Sequence, residues 1–402
     1  PSGIAGPDSS VIHFCAYWHS GICCEKKSCT FAKNQNKMNN INPNKERDNQ
    51  VRIGFTHGDV NGIGYEIIIK TLMDKRIMDM ITPVVFGHSK VASYHRKTIN
   101  AKEFNFNLIK KVDAANPRRP NIYNVDDREV KIELGIPTKI SGEMAYLSLK
   151  SAVESLEMDE IDAIVTAPIN KKSIQSEDFK APGHTEYLAE RHHVTDFLMM
   201  MVSNKLRIGV ITGHIPLREV PDAVNEDLLM NKIQIMHDSL RRDFAIPKPR
   251  IAVLGLNPHA GDDGLLGNEE KTTIIPVINK AFDDGIMVYG PYPADGFFAA
   301  GQHSKFDGIL AMYHDQGLVP FKTLAFDSGV NYTAGLPIVR TSPAHGTAYD
   351  IAGKNQASES SMRAAVYLAC DIFRNRKDFD EMNADPLFTD EDEEDDNNNT
   401  NN

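Results

Sequence analysis

Three histidines in this 402-residue chain stand just beyond apolar stretches that read as buried strands: His214 after IGVITG, His259 after IAVLGLNP and His314 after GILAMY. A single histidine at a strand end is ordinarily structural or merely exposed. Three at equivalent places along one sheet suit a divalent ion that keeps a position open for substrate. Carboxylates accompany them. Asp315 follows His314, Asp295 lies in GPYPADGFF and Asp59 in the first glycine turn. Any of the three could relay or accept a proton once burial or a neighbouring charge tunes it away from the ordinary value near ~4. A turn-capping role is equally open to each.

A second set of groups suits anions. Gly183-His184-Thr185 precedes the helical EYLAERHH, and Thr185 is placed to cap that helix, leaving backbone N–H groups for a ligand. Lys322, Asn331 and Arg340 follow further along. An arginine fork with a lysine, an amide and a helix start fits a phosphate and a carboxylate on one small molecule. Taken singly, Lys322 and Arg340 read as solvated surface charges. HGTAYDIAG, at 345–353, supplies a glycine-bearing turn suited to a dinucleotide.

These residues need a scaffold, and the apolar patterning provides one. Val51 to Thr56 is a strand that enters a glycine turn, His57 to Gly64, and then a helical stretch from Tyr65 to Met80. Further strands are expected at 82–88, 162–168, Leu206 to Thr212, Arg250 to Leu256 and Phe306 to Tyr313. Helices are expected at Ser89 to Thr98 with a serine cap, after Ser141, at roughly 225–243 and at 269–284. Alternation of this kind predicts an α/β fold with a mainly parallel sheet covered on both faces, its ligands outside the strands' carboxyl ends.

Composition bounds the rest. The chain is 41% hydrophobic, enough for a large core, with 44 Lys+Arg against 55 Asp+Glu. Seven of those acids stand in a row at 390–396, so the remainder is close to neutral, and neither balance suggests nucleic-acid binding, which favours basic patches. No apolar run reaches membrane-spanning length, and residues 1–25 lack the pattern of a secretory signal. Residues 1–50 read as a disordered leader and 381–402 as an acidic, asparagine-rich disordered tail. Four of the five cysteines, Cys15, Cys23, Cys24 and Cys29, fall in the leader, without a paired zinc-binding frame. A body with Cys370 alone fits a reducing, cytoplasmic setting.

From about Val51 to about Arg376 the chain resembles the 4-hydroxythreonine-4-phosphate dehydrogenase family of vitamin B6 synthesis. The likeness rests on GDVNGIGYE, TAPINK, PGHTEYLA, TGHIPLREVPDAV, GLNPHAGDDGLLGNEE, GPYPAD, AMYHDQGLVPFK and GLPIVRTSPAHGTAYDIAG. It implies a two-lobed α/β/α catalytic region over 51–380, of the kind found in isocitrate and isopropylmalate dehydrogenases. It also implies a homodimer with sites at the subunit interface. One divalent metal (zinc, magnesium or cobalt) would be held by His214, His259 and His314, and substrate by His184, Thr185, Lys322, Asn331 and Arg340. His184, Asp295 and Asp315 become the candidates for proton transfer. His345, Gly346, Asp350 and Gly353 become candidates for holding NAD or NADP. The implied reaction is oxidation of 4-phosphooxy-L-threonine followed by decarboxylation. A paralogue acting on another phosphorylated hydroxy acid, such as a four-carbon sugar-acid phosphate, is the nearest rival; a three-histidine hydrolase or a metal-binding protein without turnover lies further off. Val60 and Tyr65 depart from the family pattern, standing where its members show proline, as does Ala344, which stands where many show Asp.

Overall fold

The computed structural model describes residues 50–384; the leader with its cysteines and the acidic tail lie outside the described residues. Twelve strands form one sheet in the order β3-β4-β2-β1-β5-β12-β11-β6-β7-β10-β8-β9. Their ranges are β1 Val51–Thr56, β2 Ile81–Gly87, β3 Asn107–Ile109, β4 Asn121–Asn124, β5 Ala163–Thr166 and β6 Leu198–Ser203. They continue with β7 Leu206–Val210, β8 Ile251–Leu254, β9 Val288–Tyr292, β10 Gly308–Ala311, β11 Val330–Ala334 and β12 Arg340–Pro343. The α/β class and the mainly parallel sheet follow the sequence reading.

Three antiparallel pairings, β12 with β11, β11 with β6 and β6 with β7, interrupt the parallel order at its centre. An odd number of reversals turns the second half of the sheet against the first. The carboxyl ends of β1 and β5 therefore point to one edge and those of β7, β8 and β10 to the other. This corrects the expectation of a single ligand edge.

Side-chain alternation in the central strands separates core from cleft. Tyr332 and Thr341 point to one face, where Thr341 Oγ1 donates to the Ala365 carbonyl of the long helix Ser360–Met382 at 2.8 Å. There Asp243 accepts from Arg376 at 2.6 Å, and the Arg376 guanidinium also donates to the Tyr332 hydroxyl at 3.0 Å. Their neighbours Asn331, Thr333, Arg340 and Ser342 point to the opposite face.

Local chemistry explains several element ends. The helix Lys139–Glu157 starts at Thr138, whose side chain accepts from Ser141 N while Ser141 Oγ accepts from Thr138 N; the cap is Thr138, and Ser141 is its reciprocal partner. The helix Ser89–Thr98 is capped by His88, one residue earlier than expected. The stretch from Tyr65 to Met80 divides into helices Gly64–Leu72 and Lys75–Met80, because Asp74 caps the second. Gly58, at φ +67, lets the first turn close on β5: a Cβ there would stand 2.2 Å from the Pro168 carbonyl.

Tyr65 is fully buried and stacks on His57 at 5.1 Å and on His95 at 5.2 Å. Its hydroxyl accepts from His88 N at 2.8 Å. Burial lowers the pKa of both His57 and His95 to about 4. The unfolded chain, with imidazoles near the ordinary ~6.5, therefore takes up protons that the folded chain refuses, so stability is full above pH ~6.5 and is lost as pH falls toward 4. By pH 5 the loss should reach about 2 kcal/mol per ring, seen as a falling melting temperature between pH 7 and pH 5. A melting temperature that stays flat over that interval would contradict it.

Candidate active site

The open face of the central strands forms the floor of a cleft of about 560 Å³, continued by a second cavity of about 280 Å³. Lys171, His184, Met199, His214, Asn331 and Arg340 line both. Register explains the floor. Asn331 pairs with Met201 and Ser342, and Thr333 with Met199, so their side chains share a face across three neighbouring strands. Arg340, at the start of β12, sits beside Ile164 of β5 and is 3% exposed. Its Nε and Nη2 donate to Thr166 Oγ1 at 3.0 and 2.8 Å. Burial lowers its pKa to about 10, so it keeps its charge at neutral pH. Read alone, Arg340 was a surface charge; the structure buries it, because a four-residue strand begins there.

Four residues that line the smaller cavity each carry a buried polar atom with no protein partner: His184 Nε2, Asn331 Oδ1, Arg340 Nη1 and His345 Nε2. Protein interiors leave few such atoms unpaired, and a cluster of them implies an absent polar partner. Burial, then Arg340 and Lys171, holds His184 well below the ordinary histidine range, so it is unprotonated and its ring can accept as well as donate. The helix His184–Arg191 begins at Gly183 with no side-chain cap, which corrects the assignment of that role to Thr185. Thr185 Oγ1 instead meets Thr333 Oγ1 at 3.2 Å, tying the helix start to the sheet. Lys322 lines the smaller cavity and a neighbouring one of about 350 Å³.

The imidazoles come together only in part. His214 and His314 lie with ring centroids 5.4 Å apart. Two rings sharing one tetrahedral ion at ~2.0 Å per nitrogen would be spaced by roughly 5 Å, so this pair fits a divalent metal. Burial, then Lys171 and His314, lowers the His214 pKa, which favours the neutral, ligating form. His314 Nδ1 bonds Asp315 Oδ1 at 2.7 Å, fixing the ring and leaving Nε2 as the donor toward a metal. His259 is exposed in a left-handed turn beyond β8. That turn is anchored by Asn257, whose amide donates to Glu269 and Glu270. Among the described residues, no group of three or more His, Cys, Asp or Glu is gathered tightly enough to hold a metal.

Other expected residues sit apart. Asp295 is exposed in the short helix Ala294–Ala299 and is not in the walls of these cavities. Asp59 is buried with both oxygens engaged, accepting from Asn61 N at 2.9 Å and from the Ser141 and Tyr349 hydroxyls at 2.8 Å each, so it anchors turns. His345 and Gly346 line both the 280 Å³ cavity and the 350 Å³ cavity, whose walls include Ile63, Phe321, Ala348 and Ile351. Asp350 and Gly353 lie further round the same loop, outside those walls. Sequence reasoning missed Lys171, which lines both parts of the cleft; its place directly after β5 in TAPINK was the available signal.

A mostly parallel α/β sheet with an imidazole pair and unpartnered cationic and amide groups beside one open face suits a small, polar, anionic substrate. Comparison makes the class specific. The chain belongs to the family of the pyridoxal phosphate biosynthetic protein PdxA, which matches residues 79–369. It is 51% identical over 341 residues to the 4-hydroxythreonine-4-phosphate dehydrogenase of Bacteroides thetaiotaomicron, covering 85% of this chain and 93% of that one. A 4-hydroxythreonine-4-phosphate dehydrogenase of Aquifex aeolicus is 42% identical, over 80% of this chain and 98% of its own. The crystal structure of the corresponding Klebsiella pneumoniae enzyme superposes with a TM-score of 0.70 at 34% identity, covering 81% of this chain and all of that one.

Proposed function

We propose that this chain oxidises the C3 hydroxyl of 4-phosphooxy-L-threonine with a nicotinamide dinucleotide, NAD or NADP, as a 4-hydroxythreonine-4-phosphate dehydrogenase of pyridoxal phosphate biosynthesis. The observation that carries this reading is that His184, Asn331, Arg340 and His345, each with a buried polar atom left unpartnered, line one cavity. C3 gives a hydride to the nicotinamide ring and its hydroxyl gives up a proton. The resulting 2-amino-3-oxo-4-phosphooxybutanoate then loses carbon dioxide, and a proton replaces the carboxylate at C2, giving 3-amino-2-oxopropyl phosphate.

The residues divide this work. Arg340, Lys322 and the open start of the helix at His184 and Thr185 bind the substrate's anionic groups, and Asn331 fixes its orientation. Unprotonated His184 accepts a hydrogen bond from the substrate. His214 and His314, the latter oriented by Asp315, would hold a divalent zinc, magnesium or cobalt ion, which when bound supplies Lewis acidity toward the C3 oxygen. A homodimer is proposed on the family likeness and on the donor count, since a third ligand must come from beyond this pair. The loop from His345 to Gly353 is assigned to the dinucleotide. The catalytic region is assigned to residues 51–380, where every group named above falls, and the setting to the cytoplasm; among the described residues no helix is long and apolar enough to cross a membrane.

The test is NADH formation by purified protein with metal. Unphosphorylated 4-hydroxythreonine should show kcat/KM lower by about a hundredfold or more, because the phosphate's binding energy orients the distant C3. Equal rates on both compounds would refute anchoring through the phosphate. Rapid oxidation of a four-carbon sugar-acid phosphate with none of phosphohydroxythreonine would reassign the substrate.

A further inference from the structure

Lys171 extends from the turn that leaves β5, and that turn is held on both sides. Asn170 Oδ1 accepts from Lys172 N at 2.9 Å and from Ser173 N at 3.0 Å, and Asp59 N donates to the Pro168 carbonyl at 2.9 Å. Its tip is directed to the uncapped start of the helix His184–Arg191: a Cβ placed on Gly183 would lie 3.6 Å from Lys171 Cε and 4.0 Å from Nζ. Glu186 Oε2 approaches the same point at 3.1 Å, but the two charges form no ion pair within 4.0 Å. Lys171 is accordingly a cation without a carboxylate partner among the described residues, in the wall of the cleft. A helix start alone is a weak anion site. Here the buried Arg340 and the half-buried His184, which line the same cavity as Lys171, each leave a buried nitrogen unpartnered. The positive field of Lys171 also reaches His184 and His214, contributing to the lowering of both.

We propose that Lys171 is a further substrate-binding residue, its ammonium pairing with the phosphate monoester at the first turn of the helix His184–Arg191, opposite Arg340. This deepens the function proposed above and rests on it for the identity of the phosphate's owner. A compact ammonium beside free backbone N–H groups suits a tetrahedral oxyanion.

Inorganic phosphate tests the subsite without turnover. It should raise the melting temperature of the full chain, and Lys171→Met should lose most of that rise while leaving the phosphate-free melting temperature unchanged. With phosphohydroxythreonine, Lys171→Met should raise KM by about tenfold or more, and Lys171→Arg should restore most of the loss. Lys172→Met, one residue along the same turn but outside the cleft, should match the wild type. Phosphate protection equal in wild type and Lys171→Met, or none in the wild type, overturns the proposal. Loss of protection in Lys171→Met, in a chain that turns over only a sugar-acid phosphate, would uphold the subsite while replacing the substrate.

Discussion

Replacing His314 by alanine is expected to lower metal-dependent turnover by about a thousandfold or more, since Lewis-acid stabilisation of the developing charge is worth several kcal/mol. The same should hold for His214→Ala. The two rings are 5.4 Å apart, so either substitution leaves a single imidazole where two converged. Neither ring belongs to the packed core, so melting temperature should stay within a few degrees of wild type. Bound metal, measured by mass spectrometry after dialysis, should fall together with activity. Asp315→Asn should show a smaller loss, near the 10- to 100-fold typical of residues that orient a ligand, because its carboxylate fixes His314 Nδ1 at 2.7 Å. Full metal content and activity in the His214→Ala/His314→Ala double variant would remove the metal assignment.

Arg340→Lys is expected to lower kcat/KM on the phosphorylated substrate by about a hundredfold. The guanidinium is nearly fully buried in the wall of the cleft, spends two nitrogens on Thr166 Oγ1 and leaves the third without a partner. A lysine at this place keeps charge but has no fork, so it cannot hold Thr166 and an oxyanion together in the same geometry. A charge-assisted hydrogen bond of about 1.5–3 kcal/mol, together with an ammonium buried without its partners, accounts for that magnitude. The loss should appear in kcat as well as KM, since misplacing the anionic end misplaces C3. A change confined to melting temperature, with kinetic constants intact, would mean that Arg340 only braces β5 against β12.

Much of this was legible in the sequence because long apolar runs have few alternatives to burial. β1, β7, β8 and β10 announced themselves in VRIGFT, LRIGV, IAVL and GILA, and the histidines after three of them were conspicuous for that reason. β11 and β12, VNYTA and RTSP, were not legible as strands. They are short and place polar residues on the face that becomes the cleft, so they carry no apolar run. Arg340 was consequently read as a surface charge, although family likeness pointed to it. The reversal at the sheet's centre was also hidden, since it depends on which strands pair across long stretches of chain, and hydrophobic periodicity is blind to direction. Lys171 was overlooked because a lysine in a turn is ordinarily solvated, and only the approach of the helix at Gly183 gives it a role.

The insertion of β12 beside β5 also constrains how the chain is made. Its partner strand is translated roughly 175 residues earlier, a closure that is entropically slow and cannot begin until Arg340–Pro343 has emerged. Until then β5 exposes an unpaired edge of AIVT, an apolar, uncharged template that another nascent chain could join. Native β12 answers that edge with an arginine and a proline at its two ends, so Arg340, proposed above to bind the substrate's anionic group, also closes the interval in which the half-made protein is most prone to aggregate.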